Sequence, residues 1–192
     1  MSDPSELEDP PQLVCVLDTS TLINIKTMVK VDDQWEVLTA MTELVKQGRL
    51  VFPTQVHKEM KNAQHPDAPG AWCGGAKRHV AVTQPTDETM AEIFKVESVR
   101  QLVDANSDVD HEEADPYVAA MAWELSQQSD PPLDVVVATS DSVDRLPRKS
   151  ALTTACNDLG IRFWDSETFI AWVWDFIESA AETAPDEPSE GD

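Results

Sequence analysis

Along the chain, short and largely apolar runs alternate with longer segments whose apolar residues recur every three or four positions. The runs are LVCVL (13–17), LVFP (50–53), DVVVATSD (134–141) and IRFWD (161–165). LVCVL, continuous and rich in β-branched residues, has the pattern of a strand covered on both faces, and the other three read as further short strands. The segments between them have helical spacing. TLINIKTMV turns into a helix directly after the first run, and WEVLTAMTELVKQG places Val37, Leu38, Met41, Leu44 and Val45 on one face before stopping at Gly48. TQVHKEMKNA reads as a helix capped by Thr54 and containing Glu59. ETMAEIFKVESVRQLV reads as one helix with Met90, Ile93, Phe94, Val96 and Val99 on its apolar face. Pro116 suits a first helical position, which makes Asp115 the N-cap of a helix burying Val118, Met121, Ala122 and Leu125. LTTACNDLG is a helix ended by Gly160, and SETFIAWVWDFIESA is a last amphipathic helix.

Strands alternating with helices require crossover connections, hence a three-layer α/β/α sandwich around a mostly parallel sheet. Residues 12–178 form one domain of this kind, since 192 residues suffice for one sizeable core and hardly for two. Residues 63–87, rich in proline and glycine, read as a loop-rich insertion. Residues 1–11 and 179–192 are too acidic and too poor in apolar side chains to offset chain entropy, and are expected to be disordered.

Charge changes the picture most. Thirty-six acidic against fourteen basic residues give a net charge of −22, so another polyanion is repelled at long range and any nucleic-acid binding must be local. The same acidity also serves solubility or life in a salty cytoplasm. The three cysteines, Cys15, Cys73 and Cys156, are odd in number and widely spaced, which fits a reducing compartment and a cytoplasmic location. No run approaches the length needed to span a bilayer, and the first residues lack the features of a signal peptide.

In parallel sheets, sites form beyond the carboxyl ends of the strands. Asp18 follows the first strand and Asp141 the strand VVVAT, so both emerge at one edge. Asp115 opens a helix after a polar loop, and Glu59 lies within the helix after LVFP. Four carboxylates converging there repel one another unless a cation compensates. A hard divalent ion, Mg²⁺ or Mn²⁺, is the natural compensation, since it takes oxygen ligands and binds substrate phosphate. Taken singly, each acid also has an ordinary reading as a cap, a turn residue or a solvated charge.

In VLDTSTLI, PTQVHKEM, EADPYVAAMAWEL and VVVATSD, together with LGIRFWDSETFIAWV, the chain resembles the PIN-domain nucleases, including the VapC-like toxin ribonucleases, over most of residues 13–177. It is most similar to an uncharacterised PIN-like subfamily. The resemblance implies a metal-dependent ribonuclease acting as the toxin of a toxin–antitoxin pair, with Asp18 and Asp115 as principal Mg²⁺ or Mn²⁺ ligands and Glu59 and Asp141 completing the pocket. It assigns Thr139 and Ser140 to hydrogen-bonded support of the first Asp, a role Ser20 also suits. It further implies an RNA substrate, an antitoxin partner and a homodimer. A noncatalytic PIN-like module that binds protein or RNA stays open, as does a structure-selective DNA nuclease of the same broad fold.

Lys26, Lys30, Lys58, Lys61, Arg145, Arg148 and Lys149 all lie within twelve residues of Asp18, Glu59 or Asp141. Lys26, Lys58, Arg145 and Lys149 are the candidates to position a phosphate backbone, although every lysine of so acidic a chain also finds salt-bridge partners. The tryptophans read as mostly structural. His65, Cys73, His79 and Cys156 match no zinc-ligand spacing. DTST lacks the glycine of an aspartic-protease motif, and Ser20 stands where a haloacid-dehalogenase phosphotransferase needs a second Asp. The chain contains no P-loop, dinucleotide fingerprint or nucleophile elbow.

Overall fold

Four strands, β1 (Gln12–Leu17), β2 (Leu50–Val51), β3 (Leu133–Ala138) and β4 (Arg162–Trp164), form one sheet in the order β2-β1-β3-β4. Every pair is parallel. The computed structural model from which these are read describes residues 10–61, 67–104 and 112–183. The two long apolar runs become the two central strands, paired in register from Gln12 against Leu133 to Leu17 against Ala138. Val14–Leu17 and Val135–Ala138 are buried, as expected of strands covered on both faces.

Among the described residues the helices are α1 (Thr19–Met28), α2 (Gln34–Lys46), α3 (Thr54–Lys61), α4 (Ala68–Ala76), α5 (Asp87–Ile93), α6 (Glu97–Arg100), α7 (Asp115–Ser126), α8 (Leu152–Asp158) and α9 (Ser166–Thr183). By their contacts they fall into two layers. Helices α1, α2, α4 and α9 pack together, as do α5, α6, α7 and α8, with α7 lying along β3 and β1. The result is the expected α/β/α sandwich, with a core that includes Leu22, Ile25, Met41, Phe52, Met121 and Phe169. Each large apolar side chain fully withdrawn from water contributes about 1.5–3 kcal/mol.

Helix ends follow local chemistry. Gly48 and Gly160 have φ of 69° and 70°, the left-handed conformation that glycine adopts without steric cost. Behind them, the Arg49 N–H donates to the Leu44 carbonyl and the Ile161 N–H to the Cys156 carbonyl, closing α2 and α8 with Schellman bonds.

Several expectations are corrected. Residues 68–79, expected as loop, hold α4 and a 3₁₀ turn at Lys77–His79. The Asp67 carboxylate caps α4 at the Gly70 N–H, and Trp72 and Cys73 anchor the helix: Trp72 donates its Nε1–H to the Thr42 hydroxyl at 2.9 Å and meets Phe52 at 5.7 Å between ring centroids. Tertiary burial here outweighs the three glycines of the helix. The segment ETMAEIFKVESVRQLV breaks into α5 and α6, because the chain turns at Phe94–Val96. Thr54 does not cap α3; its hydroxyl donates to the Thr83 carbonyl. Helix α9 continues through residues 179–183, expected as tail. Trp35 is not structural, being 80% exposed at the mouth of an apolar cleft of about 440 Å³ between α2 and α4. The disorder expected of residues 1–9 and 184–192, and the position of His65, lie outside the described residues.

The cysteines are buried free thiols. Burial pushes Cys73 and Cys156 up to about 12 and raises Cys15 as well, the signature of inert core thiols. No helix among the described residues is long and apolar enough to cross a membrane.

Candidate functional site: an acidic cavity at the strand ends

From the central strand β1 the chain leads through α1 and α2 to β2 on one side, while β3 lies on the other. The crevice beyond the carboxyl ends of β1 and β3 is thus a point where the strand order reverses, the usual ligand position in such sheets. A cavity of about 330 Å³ opens there. Its walls include all four expected acids, Asp18, Glu59, Asp115 and Asp141, together with Thr19, Ser20 and Ser140 and the cationic Arg145 and Lys149.

Asp18 is 1% exposed. Its Oδ1 accepts the Thr19 N–H at 2.7 Å, which caps α1. Its Oδ2 accepts the Ser20 N–H at 3.2 Å, the Ser20 hydroxyl at 2.5 Å and the Thr139 hydroxyl at 2.9 Å. Burial pushes the carboxyl upward in pKa, and these donors pull against it by solvating the anion. Asp18 therefore caps α1 and at the same time lines the cavity. Thr139 and Ser20 do support it, as expected. Thr139 also accepts the Asp141 N–H at 3.0 Å, so a single hydroxyl oxygen joins the first acid to the fourth. Ser140 supports the site less directly: its N–H donates to the Ser20 hydroxyl, and its own hydroxyl meets Ser166 at 2.6 Å while accepting from Asn24 at 2.9 Å.

Asp115 is also buried, yet its surroundings differ. It is the first residue of α7, with Ala114 as N-cap and no side-chain cap, so the expectation that Asp115 caps this helix is corrected. Its side chain turns toward Lys149 instead, whose Nζ lies 2.5 Å from Oδ2. Burial and the nearby Asp18 charge raise the Asp115 pKa to about 7, with Asp141 adding to the rise and Lys149 opposing it. Burial disfavours the charged Lys149, but Asp115 and Glu113 outweigh it and hold its pKa above the ordinary lysine value.

Glu59 is no solvated surface charge. Its Oε1 accepts the Ala114 N–H at 2.8 Å and its Oε2 accepts the Thr19 hydroxyl at 2.5 Å, so α3 caps α7 from outside and ties it to α1. Asp141 has a similar double role, because its Oδ2 accepts the Leu152 N–H at the start of α8.

Of the four basic candidates, the structure brings Arg145 and Lys149 to the cavity. Lys26 pairs with Asp67 at 3.3 Å and Lys58 with Glu112 at 2.6 Å, outside the cavity wall. Arg145 and Lys149 belong to one tight loop, closed by the Arg145 N–H on the Lys149 carbonyl at 2.8 Å. The residue missed from sequence is Glu113, which takes Lys149 from its other side at 2.9 Å and whose side chain is 9% exposed. Its signal was the pair of acids in EADP, two positions apart.

The donor set consists of carboxylates and hydroxyls, the oxygen chemistry of Mg²⁺ or Mn²⁺. A carboxylate offers about four lone-pair positions, and the contacts above take one on Asp115 and one on Asp141. Among the described residues, no group of three or more His, Cys, Asp or Glu side chains is drawn together tightly enough to hold an ion by itself.

A family described as a domain of unknown function (DUF4411) matches residues 15–173, a span that contains all four acids, Arg145 and Lys149. The chain belongs to that family. A search of curated proteins finds no match.

Proposed function

For this member of the DUF4411 family we propose a metal-dependent ribonuclease of PIN-like type, hydrolysing phosphodiester bonds of RNA at the acidic cavity. The observation that carries this reading is the meeting of Asp18, Glu59, Asp115 and Asp141, drawn from four separate parts of the chain, at one crevice beyond the strand ends. Asp18 and Asp115 would hold Mg²⁺ or Mn²⁺, with Glu59 and Asp141 reaching it directly or through water. Such an ion, when bound, lowers the pKa of water and stabilises charge on a phosphoryl oxygen.

The remaining work falls to the chain. Four donors fix Asp18 in one rotamer, so its orientation requires no reorganisation when substrate arrives. Glu59 sets the start of α7 and thereby the position of Asp115. Arg145 and Lys149, on one pinned loop, supply the cationic wall that a phosphate backbone needs in a protein of net charge −22. As the toxin of a toxin–antitoxin pair, the protein would act in the cytoplasm, form a homodimer and be restrained by an antitoxin.

The test is cleavage of single-stranded RNA, with single-stranded DNA in parallel, in Mg²⁺, Mn²⁺ or EDTA, comparing the wild type with Asp115→Asn. Metal-dependent cleavage that the variant lowers by about 10²-fold or more supports the reading. Full activity in EDTA, or an unaffected variant, overturns it. A second reading, a noncatalytic PIN-like module binding protein or RNA, is favoured by the ammonium that already sits on Asp115. An acid pair that binds no Mg²⁺ or Mn²⁺ at millimolar concentration supports that alternative.

A further inference from the structure

Lys149 stands where one would expect a metal's charge. Its ammonium lies 2.5 Å from Asp115 Oδ2 and 2.9 Å from Glu113 Oε2, and its side chain is only 20% exposed. Three other basic residues near the acids in sequence have partners away from the cavity: Lys26 on Asp67, Lys58 on Glu112, and Arg148 on Asp104 at 2.6 Å. Arg145 shares the cavity wall, but the contact with Asp115 is made by Lys149. The backbone beneath Lys149 is held on both sides, by the Arg145–Lys149 bonds and by the Ser150 N–H on the Gln101 carbonyl at 2.7 Å. Movement of the ammonium is therefore a matter of its four-carbon stem. A divalent ion on the Asp115 carboxylate repels an ammonium at contact distance even across its two oxygens, while Glu113 offers the ammonium a second anchor that leaves it at the cavity edge.

We propose that Lys149 is an exchangeable internal counter-ion. In the metal-free protein it neutralises Asp115; a divalent ion arriving at Asp115 displaces it, and the released ammonium, still within reach of Glu113, becomes a ligand for a phosphate oxygen of the substrate. The protein would thus hold its acids together before metal binds and place a phosphate ligand only after it has. This rests on the metal-dependent reading above and assigns Lys149 a positioning role within it.

The exchange can be read without measuring activity. The full chain is labelled with an amine-acylating reagent at about pH 8.5, above the ordinary carboxylate range, with and without saturating MgCl₂, and each lysine is followed by peptide mass spectrometry. Lys95, whose side chain is 69% exposed, is the internal standard. Magnesium should speed labelling of Lys149 relative to Lys95 by about threefold or more, since reactivity follows the released fraction. Calorimetry run alongside should find Mg²⁺ bound about fivefold more tightly by Lys149→Met, because the variant lacks the competing cation. If Mg²⁺ binds the wild type but Lys149 labelling is unchanged or slower, or if the variant binds no more tightly, the exchange is wrong and the metal site stands. If neither protein binds Mg²⁺ at millimolar concentration, the metal-dependent reading falls and the exchange with it.

Discussion

Asp18 and Asp115 face the same cavity and are both buried, yet the protein keeps them there by different means. Around Asp18 the solution is neutral and local: two backbone N–H groups and a hydroxyl from the turn that follows β1, plus one hydroxyl from the end of β3. Around Asp115 it is ionic and distant, a lysine thirty-four positions further along the chain with Glu113 beyond it. Oriented dipoles stabilise a charge without needing an exchangeable partner, so the Asp18 corner is a fixed wall. An ion pair lends itself to exchange, so the Asp115 corner is the part able to respond to a ligand.

That contrast is open to direct attack. The largest effect is expected from Asp18→Ala, which leaves several donors without their acceptor and should cost about 3 kcal/mol in urea unfolding. A loss under 1 kcal/mol would mean the corner is not the fixed wall described. Next comes Lys149→Met, which strands Asp115 beside Asp18 and Asp141. About 2 kcal/mol should be lost, below the range for fully buried pairs because the lysine keeps some contact with water. Adding Asp115→Asn should recover most of that loss, and a double-mutant cycle showing no coupling would place the stabilisation elsewhere. Thr139→Val is milder: it removes one hydroxyl that donates to Asp18 and accepts from Asp141, for about 1 kcal/mol. Smallest of all is Glu59→Gln. The amide can still accept the Ala114 N–H and can bond the Thr19 oxygen, so stability should change by about 0.5 kcal/mol. A much larger drop would show that the charge of Glu59, and not only its hydrogen-bonding shape, holds α7 in place.

The strands and the helix stops were legible because each is written locally. LVCVL and VVVA carry burial in their composition, and Gly48 and Gly160 mark turns that need a positive φ. The grouping of the four acids was legible through position, since two of them directly follow strands of one parallel sheet. What escaped was set by contacts between distant segments. Helix α4 contains three glycines and a proline, and is held by Trp72 against Thr42 and Phe52, which no local pattern announces. The N-cap role expected of Asp115 went to Ala114, with Glu59 supplying the acceptor from another helix. Lys149 was recognised as a cation near the site, but its partner could not be, because Glu113 and Asp115 meet it only after β3 and α7 have packed.

The strand order has a consequence for how the molecule opens. β2 pairs through two residues and β4 through three, whereas β1 and β3 pair with each other along six and are flanked on both sides. Local unfolding starts where few bonds hold a segment, so the sheet should fray from its outer edges while its middle persists. Amide protons of Val14–Leu17 and Val135–Ala138 would then be among the slowest to exchange with deuterated water. The floor of the cavity would keep its shape through the excursions that transiently loosen the sheet's rims.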